Sequence, residues 1–400
     1  MRLEQLISCP VKSYIHSERY VNTTSPFTPK MLGDLHLNYS AMLGFSEMNL
    51  YVLDIPKGEL KIVRSNKMPK LIGEIFTSEN SDKYVCHPQV FEQKLCPIVN
   101  SLRKKAINIS KISAQPTASN RTMLVDLGDY QYLVKTHFPG RISSNNRKVS
   151  KDDIREGVAV TNELYRLSQE GKMPRDMGFH AESFGASASL GGDSAGFIVR
   201  EYLSTPSSRI IQLPLMSLFV PDTKNPKDPL LIEQIASLNN TSVDDYLVEN
   251  IVKPHVSHWK WFISNVGIVH NLHGQNVVLG YNSNFDSPLF SYRDFQGKRV
   301  LDNFGKYELF EDSPIADLEK VKLDISLSFD FMMGYLFYDR ILHSMGERNL
   351  LDKGTRGRIQ EVSKKIIGGY RDFMIDSEVC YKGVGNERKI VVKGNSPKYR

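Results

Sequence analysis

From Ser242 onward the apolar residues of this chain change their spacing, and that change limits the folds open to it. SVDDYLVENIVKPHVSHWKWFISNVG carries apolar residues at the spacing of one helix face and opens on Ser-x-x-Asp, a capping-box-like start. Pro254 falls inside this stretch, where a missing N–H and a ring clash predict a kink or a split. Before Ser242 the pattern is strand-like. NLYVLDI and LKIV, separated by PKGE, read as a hairpin whose turn is supplied by Pro and Gly. RTMLVDLGDYQYLVKTHF reads as a second hairpin around LGD, GRISSNNRKVS as a polar loop and GFIVREYL as a short buried strand. DDIREGVAVTNELYRLSQEG begins with acids and ends with Gly, as helices do.

Beyond the helical stretch, QNVVLGY and PLFSYRDF read as strands around the turn NSNFDS. From about Asp312 to Asp376 the pattern is that of two long helices, with LSFDFMMGYLFYDRIL as an apolar core helix. The basic end, KGVGNERKIVVKGNSPKYR, reads as a solvated tail. The fold class is therefore α+β, divided into a mixed N-terminal region at 1–80, a β-rich region at 81–205 and a largely helical region at 206–400.

Four hundred residues suffice for two or three domains with full cores. A net charge of +6 from 51 basic and 45 acidic residues suits an anionic small molecule and is too weak to argue for nucleic acid. No apolar stretch is long enough to span a bilayer, and LISC, ending at Cys9, has Arg2 and Glu4 where an export signal needs an apolar run. The cysteines at 9, 86, 96 and 380 have no zinc spacing and read as reduced, mostly buried thiols. The expectation is a cytoplasmic protein with no membrane and no nucleic-acid partner.

Three clusters carry chemistry. PTASNRT at 116–122, Lys135 on the next strand and Arg147 beyond it put cations where a hairpin aims them at one point. Such cations repel unless an anion joins them, and a triphosphate is one, with Lys a point charge and Arg a fork. By composition alone they are more often scattered surface cations. The second cluster is His273, Gln275 and Asn276, in GIVHNLHGQNVVLG. Strand geometry would send Gln275 and Asn276 to opposite faces. Asn276 offers an oxygen suited to Mg²⁺, and His273 a donor for a carboxylate or oxyanion; a structural histidine is the other reading. The third is Arg293-Asp294, where Asp294 either completes a Mg²⁺ site with Asn276 or ends a strand as a turn residue. HGxxN followed by a strand and Asp also resembles aminoglycoside-kinase-like phosphotransferases. However, LGDYQYLV before Lys135 is no glycine-rich phosphate loop, and no HGD is present.

Taken in order, VCHPQ at 85–89, PTASNRT, Lys135, Arg147, GFIVRE at 196–201, GIVHNLHGQN and YRDFQG resemble the NRPS-independent siderophore synthetases, the aerobactin-synthetase-like (IucA/IucC) family. HLNYSAMLGF at 36–45 is a further echo, and the match spans roughly residues 36 to 380. The resemblance implies a cupped hand of thumb, fingers and palm, corresponding to the three regions above. It implies an ATP-dependent ligase that adenylates a carboxylic acid, citrate-like or another small polycarboxylate, and condenses it with an amine or hydroxyl. By motif, Ser119, Arg121, Thr122, Lys135, Arg200 and Glu201 would hold ATP. Gln275, Asn276 and Asp294 would hold nucleotide, the last two with Mg²⁺. Arg147 and His273, with Lys135, would serve the substrate carboxylates and the transition state.

The chain departs from the family where Asn271 replaces the usual Glu two positions before the HGQN histidine, which lowers negative charge near the ion. HLNYSAMLGF lacks the family's Pro and Lys, and the N-terminal thumb is reduced. These changes imply a different, smaller acid substrate, dependence on a partner, or loss of activity; a homodimer or a biosynthetic partner protein is the assembly expected.

Overall fold

The structure, a computed structural model, describes residues 1–22, 32–142, 145–205, 209–295, 299–300, 318–369, 374, 379–382, 389–392 and 399. Eight strands form one curled sheet in the order β2-β10-β11-β6-β5-β4-β1-β3. They are β1 (Met48–Pro56), β2 (Lys61–Arg64), β3 (Ser81–Cys86), β4 (Asn108–Pro116), β5 (Thr122–Asp126), β6 (Gln131–Thr136), β10 (Glu182–Leu190) and β11 (Asp193–Glu201). The curl brings β3, at one edge, over β6, β10 and β11, so the concave side encloses a core of its own. The side chains of Val134, Met123, Val125, Phe184, Phe197 and Val199 fill it. Two short strands, β7 (Phe138–Ile142) and β8 (Asn145–Arg147), pair beside this sheet.

The second unit is built on a small sheet, β12-β14-β15-β9, formed by β9 (Met177–Phe179), β12 (Ile211–Pro214), β14 (Val277–Tyr281) and β15 (Leu289–Tyr292). Strand β13 (Ile268–Val269) precedes β14 and lies outside that sheet. Helical residues 243–266 and 318–346 and the helix Thr355–Ile367 cover the small sheet with a large apolar core around Trp259, Phe262, Phe290, Phe329 and Phe337. The observed architecture is α+β, as the change of period at Ser242 implies.

The two N-terminal helices, α1 (Leu3–Ser8) and α2 (Pro10–Tyr20), belong with this second unit, α1 against the helix Leu231–Leu238 and α2 against β12. Residues 1–80 are therefore shared: the helices join the helical unit and β1 and β2 join the curled sheet. A third cluster, Tyr14 and Ile15 of α2 with Leu124, Leu133, Tyr202 and Val278, forms the seam between the two units.

Several local expectations hold. β5 and β6 pair as the LGD hairpin, β14 and β15 as the NSNFDS hairpin, and Lys151–Gln169 is a helix with Ser150 and Asp153 closing a capping box. Others need correction. β1 and β2 are not a hairpin: β3 and β4 occupy both edges of β1, and β2 crosses to β10 at the far edge. GRISSNNRKVS contains the β7–β8 ladder, which needs backbone groups and not apolar side chains. Pro254 does not split the helix. It is the second residue of the α segment Lys253–Trp261, entered from a wider π segment Tyr246–Val252, so the ring falls in a first turn. The basic C-terminus is not wholly solvated, because Tyr399 is buried and its hydroxyl donates to Asp339 at 2.7 Å. Cys86 and Cys96 are buried free thiols and Cys9 is an exposed one, while the Cys380 side chain lies outside the described residues. Among the described residues no helix is long and apolar enough to cross a membrane.

Candidate functional site

The curled sheet separates core from chemistry by strand alternation. In the antiparallel register Thr122 faces Lys135, which faces Ile198, while Leu124 faces Leu133, which faces Arg200. These residues share the convex face, and the intervening Met123, Val134 and Val199 point into the core. The convex face meets the small sheet across an open cleft of about 410 Å³. From the curled sheet and its loops the cleft receives Thr117, Ser119, Arg121, Thr122, Lys135, Arg147 and Arg200. From the second unit it receives Gln275, Asn276, Arg293 and Asp294.

Two of the buried cations share one carboxylate. Lys135 donates to Asp294 Oδ1, and the same oxygen accepts from Arg200 Nη2 at 3.4 Å. Arg200 Nη2 also lies 2.6 Å from the fully buried Glu182. Arg200 Nε, in contrast, is buried without a hydrogen-bond partner. Arg121 donates to the carbonyls of Arg147, at 2.5 Å, and Lys148, at 3.1 Å. Burial, reinforced by the Arg147 charge, lowers the Arg121 pKa to about 10. Burial likewise pulls Lys135 down to about 8, partly opposed by Asp294 and aided by Arg121. A site that depresses its own cations favours an anion that would restore them.

The opposite wall is a turn closed by its own side chains. His273 Nδ1 accepts from the Gln275 amide at 3.3 Å, and Asn276 donates its amide to the His273 carbonyl at 2.9 Å. Gly274 is closely packed there. A Cβ would stand 2.4 Å from Met216 Sδ and 3.0 Å from Phe337 Cδ2. Asn276 Nδ2 donates to the Asn271 carbonyl at 3.0 Å, so its Oδ1 is the end offered to the cleft. The β14–β15 hairpin returns the chain to the same end of the sheet, where Arg293 donates its amide to the Asn276 carbonyl. Asp294 follows with φ +74, a left-handed backbone uncommon outside glycine.

Of the residues expected from the sequence, Ser119, Arg121, Thr122, Lys135, Arg147, Arg200, Gln275, Asn276 and Asp294 come together here. Two do not. Glu201 follows Arg200 on a strand and so points to the other face, where Ser183 and Tyr165 donate to its carboxylate and burial raises its pKa. His273 is buried in closing its turn and is not among the cleft-lining residues. Gln275 and Asn276 share the cleft because they lie in that turn and not yet in β14, so strand alternation does not divide them. Thr117, inside PTASNRT, and Arg293, beside Asp294, lie in motifs legible in the sequence though their roles were not, while Glu182 lies outside every such motif.

Among the described residues no group of three or more His, Cys, Asp or Glu forms a metal centre. Asn276 Oδ1 and the Asp294 carboxylate are nonetheless hard oxygen donors of the kind Mg²⁺ takes alongside substrate phosphates and water.

This α+β architecture is similar to that of solved aerobactin synthetases. The chain is similar in structure to ATP-bound aerobactin synthetase IucA from a hypervirulent pathotype of Klebsiella pneumoniae, with a TM-score of 0.64 and 14% identity over 93% of this chain and 73% of that one. It is similar to petrobactin biosynthesis protein AsbB from Bacillus anthracis str. Sterne, with a TM-score of 0.66 and 16% identity over 93% and 71%. Aerobactin synthetase IucC from the same Klebsiella pathotype gives 0.61 and 12% over 88% and 69%. At these identities the likeness is one of fold. No family model matches the chain, and no curated protein matches it in sequence.

Proposed function

We propose that this chain is an ATP-dependent ligase that activates a small carboxylic acid as an acyl-adenylate and passes it to an amine or hydroxyl. The observation that carries this reading is the cleft itself, where four cations from one unit meet the oxygen donors Asn276 and Asp294 from the other. Support for ATP comes from the fold shared with an ATP-bound aerobactin synthetase.

In the first step a carboxylate oxygen attacks the α-phosphorus and pyrophosphate leaves. Two anions must approach each other, so the barrier is mainly electrostatic. Arg121, Lys135 and Arg200 neutralise the phosphates. Arg147, at the end of β8, supplies the charge for the acid's carboxylate. Asn276 and Asp294 would hold Mg²⁺, which when bound spreads the developing phosphate charge. In the second step the amine or hydroxyl attacks the acyl carbon, AMP leaves, and the nucleophile's proton passes to solvent. Because His273 is committed to its turn, this mechanism assigns it no proton transfer.

The test is pyrophosphate release across a panel of di- and tricarboxylic acids with hydroxylamine as acceptor. AMP, pyrophosphate and a hydroxamate are the expected products. ADP would instead identify a phosphotransferase, and ATP binding with no turnover for any acid would remove the ligase reading.

A further inference from the structure

The two walls of the cleft are tied together by a carboxylate that lies outside both the 117–122 loop and the 273–276 turn. Glu18, on α2, is fully buried. Its Oε2 accepts from the Ala118 amide at 3.1 Å, and its Oε1 accepts from Tyr14 Oη at 2.9 Å and lies 2.7 Å from Arg293 Nη1. Arg293 then donates Nε and Nη2 to the Gln275 carbonyl, at 3.0 and 2.7 Å, and Nη1 to Tyr14 Oη at 2.7 Å. Ala118 immediately precedes Ser119 and lies three residues before Arg121. Gln275 immediately precedes Asn276. One buried chain of hydrogen bonds therefore runs from the backbone of the phosphate-side loop to the backbone of the opposite turn.

A buried ion pair is weak evidence for stability, since an apolar pair of similar volume packs as well or better. Here, however, an apolar pair would leave the Ala118 amide and the Gln275 carbonyl without these partners, and both belong to loops that line the cleft. Charge adds a second effect. Glu18, 2.7 Å away, is the carboxylate that neutralises the buried Arg293 guanidinium. Remove Glu18 and the remaining carboxylate near Arg293 is Asp294, the partner of Lys135.

We infer that Glu18 is a positioning residue of this site. It fixes the spacing between the 117–122 loop and the 273–276 turn, and it keeps Arg293 from drawing Asp294 away from Lys135. The inference rests on the reading that the cleft binds ATP, and its test separates the two. Glu18→Gln keeps the shape and removes the charge. In the full-length variant, hydrogen exchange without ligand is expected to rise together in 117–122 and 273–276. ATP affinity is expected to fall about tenfold or more, the scale of one lost charge-assisted contact.

A lowered melting temperature with unchanged exchange in those two segments, and unchanged ATP affinity, would overturn the inference. Coupled exchange in the variant, with no ATP binding by the wild type, would sink the ligase reading alone. Should Glu18→Gln fail to fold, the double variant Glu18→Leu with Arg293→Met removes both charges together. Wild-type ATP affinity in that variant would equally overturn the role of Glu18.

Discussion

The ionisation of Lys135 predicts how ATP binding should depend on pH. Burial lowers its pKa to about 8 despite the ion pair with Asp294. A bound triphosphate raises that pKa, so above pH 8 binding must take up a proton and affinity falls as pH rises. Well below pH 8 the lysine is charged in both states and affinity is flat. Taking the free-state pKa as about 8, the protonated fraction drops from roughly 0.76 at pH 7.5 to roughly 0.03 at pH 9.5. That is a loss of about 25-fold in affinity, or ~1.9 kcal/mol. Arg121, lowered only to about 10, stays mostly charged over this window. Titration calorimetry with ATP at fixed Mg²⁺ and ionic strength from pH 7.5 to 9.5 measures the slope. Lys135→Met, of similar length and without charge, should bind more weakly at pH 7.5 and show no slope. A flat wild-type profile, or the same slope in Lys135→Met, would refute the placement of this lysine on the phosphates.

Asp294→Asn should leave the chain folded, by circular dichroism, and abolish pyrophosphate release, since it removes the oxygen shared by Lys135 and Arg200 and the carboxylate offered to Mg²⁺. Gly274→Ala should destabilise the chain by about 1–3 kcal/mol in urea unfolding, as overpacking against Met216 and Phe337 does, and should weaken ATP binding through the displaced turn. Glu201→Gln should leave ATP affinity within twofold of wild type in the same titration, about the scatter of a site with no contact to the ligand, because its carboxylate lies on the far face of β11.

Much of the site was legible because its residues lie in short local motifs. The LGD hairpin brings Thr122 and Lys135 into direct register, and the NSNFDS hairpin returns Asp294 to Asn276. The placement of Glu201 was also legible in principle. Residues 200 and 201 sit on one strand and cannot face the same way, yet the motif GFIVRE names both. His273 was not legible, because whether its ring faces a cleft or closes a turn depends on the Gln275 amide and the helices packed behind it. The failed hairpin of β1 and β2 has a similar cause. Turn chemistry predicts adjacency along the chain, while the curl of the whole sheet decides which edges meet.

The sequence by itself determined the division into a β-rich part and a helical part, the paired strands and most of the cations. Periods of two and near 3.6 residues, and the rules for turns and caps, act over a few positions and can be read there. Only the tertiary structure decided which anion answers which cation. Glu18 lies 275 residues from Arg293, and Lys135 lies 159 from Asp294. Such pairs are chosen by burial and distance in the packed state, where an unmatched charge is costly, and no local spacing encodes that choice.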